Sequence, residues 1–327
     1  MASLILENDT MLSVNEKPWH GLGVVLQTAP TIAEAIKLAG LDWDVKLEKI
    51  KLADDSQQGQ ISHKAVIRQD TGAVLGVVGP TWRPLQNKDA FAFFDSFISS
   101  GQVTIETAGS LRNNKTIWVL AKIAGLTAEA VKNDPIERYV LLSHAHDGTM
   151  AIRTGFTDVR VVCNNTLSAS FNSKASKLIR IRHNSRIEQN LETVKQCMDL
   201  ATSEFTANIE LLKKLTNKGI NHEDVKKFVR AVWFDTTILE GVEASARAIN
   251  NYNDRVRDMV RLMETGRGHD LAGVKGTMYG LYNAATEYLT HEASNSNETR
   301  LNSLWFGDNA RTNEKVLRVS LEMAGVA

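Results

Sequence analysis

The spacing of apolar and polar positions changes period once along this chain. Up to about residue 186 the period is two, or a short apolar run bounded by turn residues, which is the signature of strands. Trp43, Val45 and Leu47 alternate with Asp44, Lys46 and Glu48, predicting a half-buried strand. Residues 63–69 and 73–79 flank Asp70-Thr71-Gly72, a hairpin signal, and residues 102–114 and 115–125 meet at Asn113-Asn114, a second turn. Two short helices interrupt the strands. Thr31 with Glu34 three residues on forms a capping box, and Gly40 closes that helix. Asn87 reads as the cap of the other, whose Phe91, Phe94, Phe97 and Ile98 make one apolar stripe and so belong to a core. Residues 1–30 read as irregular, with Trp19 as a packing plug in the Pro18–Gly23 turn.

Beyond residue 186 the period becomes 3.6. Ile187, Leu191, Val194, Met198, Ala201, Phe205, Ile209 and Leu212 predict a long amphipathic helix with near-heptad spacing. Asn221 caps a second helix through Val225, Phe228, Val229 and Val232. A third is expected over about residues 242–263, stopped by Gly266-Arg267-Gly268, a fourth over about 277–291, and a last from about Ala310. Strands grouped first and helices second argue for an α+β fold: an N-terminal, mostly antiparallel sheet of about seven strands with a few helices, then a C-terminal helical half. The domains expected are 1–186, β-rich, and 187–327, helical.

Composition narrows the function class mainly by exclusion. With 38 Lys+Arg against 38 Asp+Glu the formal net charge is zero, so global charge does not indicate nucleic-acid binding. The two cysteines, Cys163 and Cys197, form neither a disulfide framework nor a paired metal motif, which fits a reducing compartment. The opening residues do not resemble a signal peptide, and no apolar run reaches the length of a membrane span.

Candidate chemistry concentrates between Glu137 and Arg186. His144 and His146 share one face of a strand, as two metal ligands can, but no third ligand stands near them in sequence, and Asp147-Gly148 is explained by a hairpin turn. Cys163 follows two valines and reads as a buried small residue rather than a nucleophile. No catalytic residues, metal or cofactor are expected. The basic run is the stronger signal. From Arg138 to Arg186 eight Arg/Lys stand against two Asp. Arg153, Arg160, Lys174, Lys177, Arg180, Arg182 and Arg186 are the candidates to neutralise phosphates, with Asn164 and Asn165 as uncharged donors beside them and Trp82 as a stacking candidate. The competing expectation is a subunit interface built from the same run.

Three stretches occur in order: PWHGLG (18–23), SHAHDGTMAIRTGFTDVRVVCNNTL (143–167), and YGLYNAATEYLTHE (279–292) followed by LWFG (304–307). Together they resemble the phage/plasmid-like protein family of unknown function, over almost the whole chain. The resemblance implies a protein of phages, prophages or plasmids working in the bacterial cytoplasm beside DNA metabolism, and it supplies no catalytic residues. The combined expectation is a non-catalytic protein that binds or anneals single-stranded DNA, as phage annealing proteins do. It would be a homo-oligomer and a possible partner of host or phage replication or recombination proteins. The alternative is an oligomeric structural or host-interaction protein.

Overall fold

The computed structural model describes residues 10–14, 23–50, 62–160, 165–167, 179–187, 189, 191, 201–234, 245–293, 303–304 and 307–326. The fold is α+β, with strands first and helices second. The chain forms two compact units: Met1–Ala124, Tyr139–Phe156 and Leu178–Leu200 in the first, and Gly125–Arg138, Thr157–Lys177 and Ala201–Ala327 in the second. The boundaries at 124/125, 138/139 and 156/157 fall inside strands, so two short strand-bearing segments group with the helical residues.

The strands in chain order are β1 (Met11–Val14), β2 (Val24–Leu26), β3 (Val45–Lys49), β4 (Lys64–Arg68), β5 (Val74–Val78), β6 (Val103–Leu111), β7 (Thr116–Glu129), β8 (Pro135–Ala145), β9 (Ile152–Arg160), β10 (Asn165–Leu167) and β11 (Ile179–Ile181). They divide between two sheets, where the sequence pattern suggested one. The larger has the order β10-β9-β8-β7-β6-β1-β2, with β11 also on β9, and the smaller is β3-β4-β5. The stretch expected to be irregular contributes β1 and β2, which pair in parallel. β1 is too short to announce itself by alternation. It is held by its antiparallel register on β6, Met11 opposite Gly109.

The expected hairpin turns form. β4 and β5 flank Asp70–Gly72, and Asn113 and Asn114 take positive φ (56° and 64°) between β6 and β7. Asparagine tolerates that left-handed region better than most residues. Helix α1 (Ile32–Leu38) carries the full Thr31/Glu34 capping box. The phenylalanine helix is two short pieces, α2 (Asn87–Ala92) and α3 (Asp95–Ser99), and its rings are core as expected: Phe91, Phe93, Phe94 and Phe97 are all buried.

In the second unit the helices are α4 (Ala201–Thr216), α5 (His222–Trp233), α6 (Ala246–Thr265), α7 (Met278–Glu287, continued by a π turn at Tyr288–Glu292) and α8 (Asp308–Met323). The expected long helix from Ile187 is described as α4 over its later part. Residues 192–200 lie outside the described residues. The Asn221/Asp224 capping box starts α5, and Ser245 and Thr277 cap α6 and α7. Every residue of α7 is buried. A helix buried on all faces is the centre of a bundle, and α4, α6 and α8 pack around it.

The close packing of α7 depends on Gly280, where a Cβ would overlap the Val274 carbonyl oxygen. Backbone cannot yield as a flexible side chain can. Gly280→Ala is therefore expected to destabilise by about 1–3 kcal/mol despite alanine's better helix propensity. An unchanged urea midpoint would show that the 274–280 backbone adjusts freely.

Candidate nucleic-acid interface

The cationic residues singled out in the sequence part into two groups. Arg138 and Arg160 are among the largest fully buried side chains in the protein. In the second unit, Arg138 on β8 donates through Nε to Asp158 Oδ1 at 2.8 Å, and Asn208 Nδ2 donates to Asp158 Oδ2 at 3.0 Å. Burial raises the Asp158 carboxyl above its ordinary range against the opposing pull of Arg138 and Asn208. Arg160 on β9 donates through Nε to both oxygens of Asp134, at 2.7 and 2.9 Å. Its Nη atoms reach the carbonyls of Arg267 (3.0 Å) and Gly268 (3.4 Å), and Tyr279 Oη donates to Asp134 Oδ2 at 2.9 Å. Burial and the adjacent Asp134 charge hold the Tyr279 hydroxyl well above its usual value. Arg160 is therefore corrected: it is a structural cation that ties the 266–268 loop to the bundle, and no phosphate reaches it. Its partner Asp134 lies outside the stretch over which the basic run was counted.

The second group lies in the first unit. Arg153 on β9 and Arg180 on β11 are direct Cα partners in an antiparallel pair. Arg180 is exposed and Arg153 half-buried. Burial and the Arg180 charge both lower the Arg153 pKa from its very high ordinary value, so each destabilises the charged form of Arg153. Arg182 and Arg186 follow in the same arm and are exposed. Among the described residues none of Arg180, Arg182 and Arg186 forms an ion pair. Asn165 lies in β10 with its Cα opposite Arg160. Asn164, Lys174, Lys177 and Cys163 lie outside the described residues, as does Trp19.

A cation that local counting passed over joins this group. Arg83 is exposed. Its backbone N–H donates to His183 O at 3.0 Å, and its carbonyl lies 3.0 Å from His183 Nδ1. This pairing brings the Trp82–Leu85 segment beside the Arg182–Arg186 arm. The stacking candidate Trp82 is engaged on one face by the His183 ring, at 4.8 Å and 20°.

The histidines cluster in a way the sequence spacing hides. His144 and His146 are fully buried and meet edge to face at 4.7 Å, and His183 lies 6.2 Å from His144. Asn87, expected as a helix cap, is buried instead. Its Nδ2 donates to the Leu41 and Trp43 carbonyls, which leaves Oδ1 to accept from His146 Nε2 at 2.9 Å. That bond sets the His146 proton on Nε2. Both nitrogens of His144 and Nδ1 of His146 have no hydrogen-bond partner among the described residues. Desolvation is the main cause that lowers all three pKa values, His144 well below its ordinary value and His146 to about 3, so the rings are neutral. No group of three His, Cys, Asp or Glu side chains among the described residues is placed to hold a metal ion. No helix there is long and apolar enough to cross a membrane.

Fold and site together define an α+β protein with an arginine-edged, β-rich unit and a helical unit built around two buried ion pairs. Residues 74–317 match the family described as Domain of unknown function (DUF932), and the chain belongs to that family. No curated protein and no solved structure matches it.

Proposed function

We propose that this is a non-catalytic single-stranded nucleic-acid-binding protein encoded by a phage, prophage or plasmid. It acts in the bacterial cytoplasm in recombination or replication, by holding or annealing single strands as a homo-oligomer. The observation that carries the reading is the arginine edge of the first unit. Placing Arg153 directly opposite Arg180 costs repulsion in the isolated protein. Arg182, Arg186 and Arg83 add to the same charge. A chain of phosphates neutralises the exposed Arg180, Arg182 and Arg186 and releases its own counterions on binding.

Fluorescence anisotropy with a labelled single strand tests this. The triple variant Arg180→Glu, Arg182→Glu, Arg186→Glu is expected to lose about tenfold or more in affinity at low salt, and to flatten the log–log salt dependence by about 0.7 for each phosphate contact removed. Undetectable binding by the wild type at low salt, or an unaffected triple variant, would sink the proposal.

A second reading has one specific support. β5 is an edge strand of the smaller sheet, and it exposes Val74 and Val77 at 61% and 55%. An exposed apolar edge is a pairing surface for another chain. An oligomer in mass photometry that is disrupted by Val74→Lys and Val77→Lys, from a protein with no affinity for nucleic acid, would favour a purely structural role.

A further inference from the structure

Beside the arginine edge the first unit has a cleft of about 590 Å³. That lies within the roughly 300–1,000 Å³ typical of small-ligand sites. Its apolar lining comes from Leu85 and Phe93 on one side and from Ile187 and Leu191 on the other. Asn184 and Ser185 stand among them as uncharged polar groups, and Arg83 is part of the wall. The two sides are about a hundred residues apart in sequence. The paired Arg83–His183 backbone contacts and the Trp82–His183 stack pin them together. The cleft is thus braced in the free protein, with less ordering left to be done on binding.

We propose that this cleft receives an unstacked nucleobase of the bound single strand, while Arg180, Arg182 and Arg186 hold the flanking phosphates. The inference rests on the nucleic-acid reading above and adds where a base goes. Two features select a base as the occupant. Arg182 and Arg186 bracket the lining residues Asn184 and Ser185 in sequence, so a strand tracking the arginines passes the mouth of the cleft. The apolar walls match the faces of a base, and Asn184 and Ser185 match its polar edge.

The test compares a twenty-nucleotide oligodeoxycytidine with an abasic strand of equal length and charge. Wild-type protein should bind the base-bearing strand about tenfold more tightly, the scale of one or two well-seated bases. Ala92 lines the cleft and is exposed, so Ala92→Trp fills the cleft with little burden on the core. This variant, first shown to keep the wild-type melting temperature, should bring the oligodeoxycytidine down to the abasic level and leave abasic binding unchanged. Arg182→Glu with Arg186→Glu should weaken both strands. Photo-cross-linking with 5-iododeoxycytidine gives an independent readout, and adducts should map to residues 83–93 or 184–191. Equal binding of the two strands, an Ala92→Trp variant that discriminates as wild type does, or adducts confined to other segments would overturn the base site. In that case the arginine dependence would still stand and the broader reading with it. If neither strand binds at low salt, both fall.

Discussion

Asp134→Ala is expected to destabilise the protein by about 3–5 kcal/mol, because it removes the carboxylate that accepts both Nε contacts of the buried Arg160 guanidinium. That is a large share of the roughly 5–15 kcal/mol by which a typical domain is stable. Arg160 is 1% exposed and receives no solvent in exchange for the lost carboxylate. Tyr279 Oη loses its acceptor in the same change, and the Arg267 and Gly268 carbonyls keep a cation that has lost its bidentate carboxylate. Arg160→Met should also be costly, since it strands the Asp134 carboxylate. The double variant Asp134→Leu, Arg160→Met should recover much of the loss, because replacing a whole buried pair by apolar groups costs less than breaking it. Urea midpoints for the two singles and the double close the cycle. A cost below about 1 kcal/mol for Asp134→Ala would mean that water reaches the pair, and would reopen Arg160 as a surface cation. Nucleic-acid binding should follow the stability of these variants. The Arg180, Arg182 and Arg186 variants should instead lose it with the fold intact.

The second large effect is acid lability between about pH 6.5 and 5. His144, His146 and His183 are buried neutral, with folded-state pKa values below the ordinary 6.5 and that of His146 at about 3. In an unfolded chain each takes up a proton as pH falls through 6.5, whereas in the folded protein His144 and His146 refuse it and His183 takes it up only at a lower pH. The unfolded state then binds more protons, so stability is full above pH 6.5 and declines as pH drops toward the folded values. One such histidine costs about 1.4 kcal/mol for each pH unit well below 6.5, or roughly 2 kcal/mol by pH 5. His144 and His146 together reach roughly 4 kcal/mol by pH 5, a large share of a domain's stability, and His183 acts in the same direction. Asp158 and Glu287, which burial holds above the ordinary carboxylate range, act with the opposite sign and offset part of the slope. Calorimetry at pH 5 in two buffers of different ionisation heat should show a net uptake of protons on unfolding. His144→Phe should remove about one of them and raise the acid-side melting temperature relative to wild type. A melting temperature that stays flat from pH 7 to pH 5 would show that the rings are hydrated.

How much of this was legible in the sequence depended on how local the cause was. The run of eight cations against two acids between Arg138 and Arg186 is a true count but a poor guide to surface charge. Asp158 lies inside the run but pairs with Arg138 at its far end, and Asp134 lies just before it and takes Arg160. The first pair joins neighbouring strands and the second joins β9 to the residue just before β8, so linear spacing does not announce them. Asn87 followed the composition of a helix cap, yet its side chain turns inward to the Leu41 and Trp43 carbonyls and to His146. His183 sits 37 residues beyond His146 and joins the cluster only because β11 pairs with β9. Arg83 and the cleft beside it carried no signal, since their two walls are a hundred residues apart.

The sequence by itself determined what short-range physics controls. The capping boxes at Thr31/Glu34 and Asn221/Asp224 mark helix starts because a side chain three residues away satisfies an orphan N–H. Asn113 and Asn114 mark a turn because their backbone tolerates positive φ. The switch of period marks an α+β order because burial follows one face of each element. The tertiary structure alone decided which cations are surface and which are core, which histidines meet, and where a cleft opens. Those outcomes depend on desolvation and on partners brought together by strand pairing. A buried charge survives only where the fold delivers its counter-charge, and an exposed one is available to a ligand only where it does not.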